Sequence, residues 1–177
     1  MVLLGSGCSE SPPTGGLIDD EYAVYSTVIN QMFLSRERPE TVLVASTTTF
    51  RPEEFVDRIM RVGDDVWDFA FKGLAGAAPG ASRTLLEEFR AENKHRRPLA
   101  RRFQLKADYS LWAPDATLDF SSPLISLSGI AFDPGRTQAL VMASILESSR
   151  SGGGYVVFLG KEGGRWTIRS KECVWLA

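Results

Sequence analysis

The spacing of apolar residues changes near the middle of the chain. In the first hundred residues, apolar side chains recur every three or four positions, as on one face of a helix. The first such helix is expected to begin at Asp19, Asp20 and Glu21, because acidic residues suit the positive end of a helix dipole. Its apolar stripe consists of Tyr25, Val28, Ile29, Met32 and Phe33. The pattern predicts a helix that packs against a large apolar surface.

Three more helices and one strand are predicted before residue 100. The β-branched run from Val42 to Thr49 predicts a strand. Pro52 and Asp64 open the second and third helices, whose apolar positions are Phe55, Val56, Ile59, Met60, Val66, Trp67, Ala70, Phe71 and Leu74. A capping box of Thr84 and Glu87 opens the fourth helix, since each side chain can satisfy a backbone amide. Pro98 forbids its continuation.

From residue 101 the apolar period is two, which is typical of half-buried strands. Phe103, Leu105, Ala107 and Tyr109 alternate with polar residues. A turn at Asp133–Gly135 is expected to lead into the strand Gln138–Glu147. Turns at Ser151–Gly154 and Glu162–Gly164 are then expected to lead into the strands Tyr155–Gly160 and Trp166–Leu176. The order of elements predicts an α+β fold, with N-terminal helices packed on one face of a C-terminal antiparallel β-sheet, a meander.

Length and composition are those of one globular domain. The chain has 177 residues, of which 44% are hydrophobic and 24% charged, and a net charge of −2. These values exclude a mainly disordered, collagen-like or coiled-coil protein, and no apolar run is long enough for a transmembrane helix. We expect residues 18–177 to form a single domain and residues 1–17 to be a separate start and tether.

The first residues are similar to the end of a bacterial lipoprotein signal. Apolar and small residues precede Cys8, and the segment Glu10–Gly16 has the Ser/Pro/Gly composition of a tether. Cys8 is therefore a candidate lipidation site, with a truncated start because a basic region and a full apolar core are missing. The localisation expected is the cell envelope. The alternative is an ordinary N-terminal tail on a cytoplasmic protein. The second cysteine, Cys173, is expected to be a small buried apolar residue.

Several segments together resemble a group of uncharacterised bacterial envelope proteins. They are Tyr22–Asn30, Leu127–Asp133, Thr137–Val141, Gly154–Leu159 and Gly164–Ile168. The resemblance implies export and a C-terminal glycine-turn and β-hairpin module, and it implies no activity. Members of the group often have two cysteines before the glycine-rich turn. The corresponding segment Glu147–Gly154 has none, so no redox or metal role is implied for the turn.

Sequence motifs for catalysis are scarce, and we predict no catalytic, cofactor-binding or metal-binding residue. The single histidine, His95, lies among the cations of Lys94–Arg97 and is expected to be solvated at a helix end. Gly152–Gly154 does not fit a phosphate loop, because a strand follows it where a helix is required. The alternative function is a small hydrolase using loop carboxylates between Asp108 and Asp133, with Asp115 and Asp119 among them.

Charge is distributed unevenly along the chain. Residues 83–106 contain eight Lys and Arg against three Glu, whereas residues 1–82 contain six basic and twelve acidic residues. Arg96, Arg97 and Arg101 flank Pro98 and are candidate anion-binding residues at one corner of the domain. The alternative is an ordinary solvated face. Nucleic acid is an unlikely partner, because Phe103 and Tyr109 are expected to point away from these charges.

The function expected from these observations is that of a non-catalytic, envelope-exposed domain. It would bind a partner protein or an anionic envelope component, and it would contact the membrane through a lipid on Cys8.

Overall fold

The computed structural model describes residues 15–35, 39–49, 74–76 and 78–176. Helix α1 covers Gly15–Val28 and continues as a π-helical turn over Ile29–Phe33, and helix α2 covers Arg83–Glu92. The strands are β1 Thr41–Ala45, β2 Asp108–Trp112, β3 Leu124–Leu127, β4 Ala131–Phe132, β5 Gln138–Ser148, β6 Ser151–Glu162 and β7 Arg165–Leu176. The predicted helices at Pro52–Met60 and from Asp64 onward lie outside the described residues, apart from a helical turn at 74–76.

The seven strands form one mixed sheet, so the molecule is roughly α+β. Its strand order is β2-β1-β3-β5-β6-β7, with β4 paired to β5. Strands β5, β6 and β7 are the antiparallel meander that the turns predicted. The sheet as a whole is mixed and not antiparallel throughout, because β1 runs parallel to both β2 and β3. A parallel pair requires a long crossover, and residues 46–107 with α2 provide it between β1 and β2.

Apolar residues on the two faces of the sheet belong to different clusters, because successive side chains of a strand point in opposite directions. Val141 of β5 belongs to the cluster that contains Tyr25 and Val28 of α1. Its neighbour Leu140 belongs to the cluster that contains Phe89 of α2. The two described helices therefore contribute to opposite faces of the sheet, and the predicted packing of all the N-terminal helices on one face is not shown.

Helix α1 presents the predicted stripe. Tyr25, Val28 and Ile29 are buried, and Met32 and Phe33 are half-buried. The helix begins at Gly15, before the three acids that were expected to start it.

The start of α2 differs from the prediction. Ser82 is the N-cap, since its hydroxyl accepts a hydrogen bond from the Leu85 amide at 3.1 Å. The predicted capping box at Thr84 is therefore wrong, and Glu87 pairs instead with Arg83 at 2.8 Å, one turn away. The helix ends at Glu92, before Pro98 is reached.

The segment before β2 is extended but is not a strand. Phe103 is buried and Gln104 is exposed, as the alternation predicted, yet strand pairing begins only at Asp108. The Gln104 amide donates to the Ser26 hydroxyl at 2.9 Å. The Asn30 side chain accepts from the Lys106 amide and donates to the Gln104 carbonyl, both at 2.8 Å. Side chains of the first helical segment thus take the place of a neighbouring strand.

Two of the three predicted turns are confirmed. Asp133–Gly135 and Glu162–Gly164 both reverse the chain, and Gly163 and Gly164 have positive φ of 54° and 79°. The expected turn at Ser151–Gly154 is wrong, because these residues belong to β6 and the turn lies at residues 149–150. Gly154 faces Trp175 of β7, whose ring occupies the space that a Cβ would need.

Candidate functional site

The candidate residues from the sequence have different surroundings. Cys8 lies outside the described residues. Arg96 and Arg101 are exposed, whereas Arg97 is half-buried. Cys173 is exposed on β7, so the prediction that it is buried is wrong. Its position on the edge strand β7 explains the exposure, since β7 pairs with β6 alone among the described strands.

Arg97 joins three parts of the fold. Its guanidinium contacts Glu21 of α1 at 3.2 Å and Glu92 of α2 at 3.3 Å. Its amide donates to the Thr48 hydroxyl at 2.8 Å, just after β1. Burial opposes the charge, but the two glutamates outweigh it and raise the pKa of Arg97. The positive charge of Arg97 is therefore compensated within the protein.

Arg101 and Arg102 lie against aromatic rings. The Arg101 guanidinium is 5.4 Å from the centroid of Tyr109 and donates to the Tyr109 carbonyl at 3.2 Å. Arg102 is 5.6 Å from the centroid of Tyr22 and pairs with Asp19 at 2.9 Å. The expectation that Tyr109 points away from the charges is wrong, because Arg101 folds back over its ring.

The residues after α2 form an exposed basic corner, defined here as Lys94, His95 and Arg96. Within the described part of the chain, none of these three side chains has a hydrogen bond or ion pair. The position of the corner is fixed by Asn93, whose side chain donates to the Phe89 carbonyl at 2.9 Å and accepts from the Gly129 amide at 2.7 Å. The corner thus carries the solvated charges of Lys94 and Arg96 on a base that the Asn93 side chain fixes.

A groove of about 550 Å³ lies beside the corner, between α1, α2 and the turn after β4. Ile130, Phe132 and Pro134 provide apolar surface. The charged residues that line it are Glu21, Glu88, Glu92, Arg97, Asp133 and Arg136. Four carboxylates therefore face two guanidiniums, and the groove is acidic where the corner is basic.

Asp20 is a second ionic centre, which the sequence did not reveal. Its carboxylate accepts from Lys161 at 2.7 Å, from the Trp166 indole at 3.3 Å and from Arg136 at 3.2 Å. Burial acts to raise the pKa of Asp20, but these three hydrogen bonds outweigh it and the pKa is lowered. Asp20 seemed to be a helix-dipole residue, and its partners lie more than a hundred positions away, so no local pattern indicated them.

The carboxylates proposed for a hydrolase are either exposed or bound to residues of their own turns. Asp119 accepts from the amide and hydroxyl of Ser121, and these bonds lower its pKa. Burial acts to raise the pKa of Asp133, but hydrogen bonds from Gln138 and Thr137 outweigh it and lower it. Asp108 and Asp115 are exposed, and Asp133 alone of this set lines the groove. A general acid needs a raised pKa, and neither of these shifts is in that direction.

Other chemistry has little support in the described residues. His95 is exposed after α2, as expected for a solvated side chain. Within residues 15–35, 39–49, 74–76 and 78–176, no three His, Cys, Asp or Glu side chains are close enough to hold a metal ion. No helix of this part of the chain is long and apolar enough to cross a bilayer.

Comparisons with family models, curated proteins and solved structures found no match to this chain.

Proposed function

We propose that the chain is a non-catalytic, envelope-exposed domain that binds an acidic segment of a partner protein through its basic corner. The observation that carries this proposal is the set of exposed, uncompensated cations after α2. Asn93 holds them on a rigid base, so a ligand would not have to order the backbone.

The neighbouring charges favour a segment of a protein over an anionic membrane. The groove beside the corner has an excess of carboxylates, and Glu92 of that groove lies only a few residues before Lys94. A uniformly negative surface would be repelled by these acids as it approached the cations. A protein segment can place its own charges selectively, so it can contact the corner and avoid the acids.

Of the three candidate anion-binding residues, Arg96 and Arg101 would contribute to binding and Arg97 would position them. Arg96 and Arg101 are exposed, and neither forms an ion pair within the described residues. Arg97 is held by Glu21 and Glu92. Replacing Arg97 should therefore affect folding more than binding.

The envelope location is supported by the sequence alone. Cys8, the Ser/Pro/Gly segment after it and the resemblance to bacterial envelope proteins favour an exported protein with a lipid on Cys8. A small hydrolase remains the alternative. It is less well supported, because two of its carboxylates are committed to local turns and have lowered pKa values.

The test compares two anionic probes, a poly-glutamate peptide and vesicles of phosphatidylglycerol. We expect the peptide to bind, and to bind less as salt is added, since exposed charges are screened over about 8 Å at physiological salt. Vesicles should bind much more weakly than the peptide. Equal binding to vesicles would favour an anionic envelope component as the ligand. Failure of both probes at low salt would contradict the proposal.

A further inference from the structure

The groove beside the basic corner is lined by more negative than positive side chains, so its net charge is opposite to that of the corner. Its apolar residues are the buried Ile130, the half-buried Phe132 and the exposed Pro134. Its volume of about 550 Å³ is large enough for a side chain with part of its backbone. Apolar surface with charged residues around it suits a ligand that has an apolar stem and a charged end.

The net charge of the residues that line the groove determines the sign of the charge that the ligand must carry. Four carboxylates line the groove against Arg97 and Arg136. Lys161 and Asp20 lie next to Arg136 and carry opposite charges. Because these two charges cancel, the groove and its surroundings still have two more negative than positive charges. The groove therefore favours a cationic ligand.

Glu88 is the carboxylate best placed to receive that cation. Glu21 and Glu92 are paired with Arg97, and Asp133 accepts hydrogen bonds from Thr137 and Gln138 in its own turn. Glu88 is exposed on α2 and, among the described residues, has no hydrogen bond or ion pair. A new ion pair with Glu88 would thus cost no existing contact.

We propose that this groove receives a lysine or arginine side chain of the partner protein, with Glu88 pairing its charge. The methylene groups of such a side chain would contact Phe132 and Pro134 above the buried Ile130, while the charged end stays at the open side. This inference rests on the proposed function, because it assigns the groove and the corner to one partner. That partner would present a basic residue beside its acidic segment.

The experiment is an NMR titration with N-acetyl-lysine methylamide, using N-acetyl-norleucine methylamide as the uncharged control. We expect the lysine probe to shift the amides of Ile130, Phe132 and Arg136, and to do so more strongly than the norleucine probe. Glu88→Gln should weaken binding by up to about fivefold, the range of an exposed ion pair. Glu87→Gln changes the same charge on the same helix outside the groove, and it should leave the affinity unchanged.

The result separates this inference from the proposed function. Absence of shifts in the groove, equal shifts with norleucine, or no effect of Glu88→Gln would overturn the groove assignment, even if poly-glutamate binds at the corner. Lysine binding that depends on Glu88 would support the groove even if poly-glutamate does not bind. In that case the proposal of an acidic segment of the partner at the corner would be wrong, and the proposal of a basic residue in the groove would stand.

Discussion

The carboxylate of Asp20 connects α1 to residues near the ends of β5, β6 and β7. Asp20→Asn removes its charge and with it the ion pairs to Lys161 and Arg136. We expect a loss of about 1–3 kcal/mol in the free energy of unfolding at neutral pH. Urea denaturation measures this loss. Asp19→Asn is the matched control, because Asp19 is mostly exposed and should cost less than about 1 kcal/mol.

The pH dependence of the free energy of unfolding, measured for the parent and for Asp20→Asn, provides a second check. The pKa of Asp20 is lower in the folded state than the usual value of about 3.9 in an unfolded chain. Its contribution is therefore complete above the unfolded pKa and is lost as pH falls through the folded pKa. The difference in stability between the parent and Asp20→Asn should shrink below about pH 4. A difference that stays constant in acid would contradict the assigned role.

Trp166 is buried, at 5% exposure, as the hairpin pattern indicated. Its ring lies 5.6 Å from that of Phe132, and its indole donates to Asp20. Trp166→Ala should cost about 3–5 kcal/mol, because it leaves a cavity in the core. Thermal denaturation would detect this as a large drop in Tm. Leu176→Ala, at a position 70% exposed, should melt close to the parent.

At the scale of elements, the contact between the first helical segment and residues 100–106 depends on polar side chains. Asn30 pairs with the backbone of Gln104 and Lys106 as a strand would. Asn30→Ala should speed hydrogen exchange at the Lys106 amide, because that amide loses its acceptor. Asn30→Asp retains an acceptor oxygen and should keep Lys106 protected. Equal exchange in all three proteins would show that this contact does not hold the segment.

Local sequence patterns predicted the helices and strands better than the contacts that these elements make. Period-two alternation correctly located the side chains of Phe103 to Tyr109, but it could not show that the backbone pairs with Ser26 and Asn30. Alternation reports which face is buried, and it does not report what lies at the edge. The glycines after Ser151 were interpreted as a turn, whereas the space that Gly154 leaves is occupied by Trp175, which is distant in sequence.

The candidate site was predicted in part. Sequence located the cations after α2, and it left open whether they form a binding patch or a solvated face. It could not show that Glu21 and Glu92 compensate Arg97, because Glu21 is far away along the chain. The groove was not predicted either, since its residues come from α1, α2 and the turn after β4.

At the scale of the whole molecule, the proposed location depends on Cys8. Expressed from its own gene in its native host, the protein should fractionate with membranes. Cys8→Ser should release it or leave it unprocessed, since two or more acyl chains anchor a protein stably and none does so in the variant. Recovery in the cytosol, with no effect of Cys8→Ser, would contradict the envelope location.

Substitutions at Arg97, compared with substitutions at Arg96 and Arg101, distinguish a role in stability from a role in binding. Arg97→Gln leaves Glu21 and Glu92 without their cation, so it should lower the free energy of unfolding by about 1–3 kcal/mol. Arg96→Gln with Arg101→Gln should change it by less than about 1 kcal/mol, because exposed charges contribute little. Chemical denaturation of the two variants, compared with the parent, tests this division of roles. Equal losses would show that all three arginines are structural.

The measurement that tests the central claim most directly is the affinity for poly-glutamate of the Arg96→Gln/Arg101→Gln variant. Its control is Arg150→Gln/Arg165→Gln, which removes the same charge from two exposed arginines, one in the β5–β6 turn and one at the start of β7. The account predicts a severalfold loss of affinity in the first variant at low salt, and little change in the control. Equal affinity of the two variants would contradict it, because binding would then follow net charge and not the positions of Arg96, in the basic corner, and Arg101, outside it.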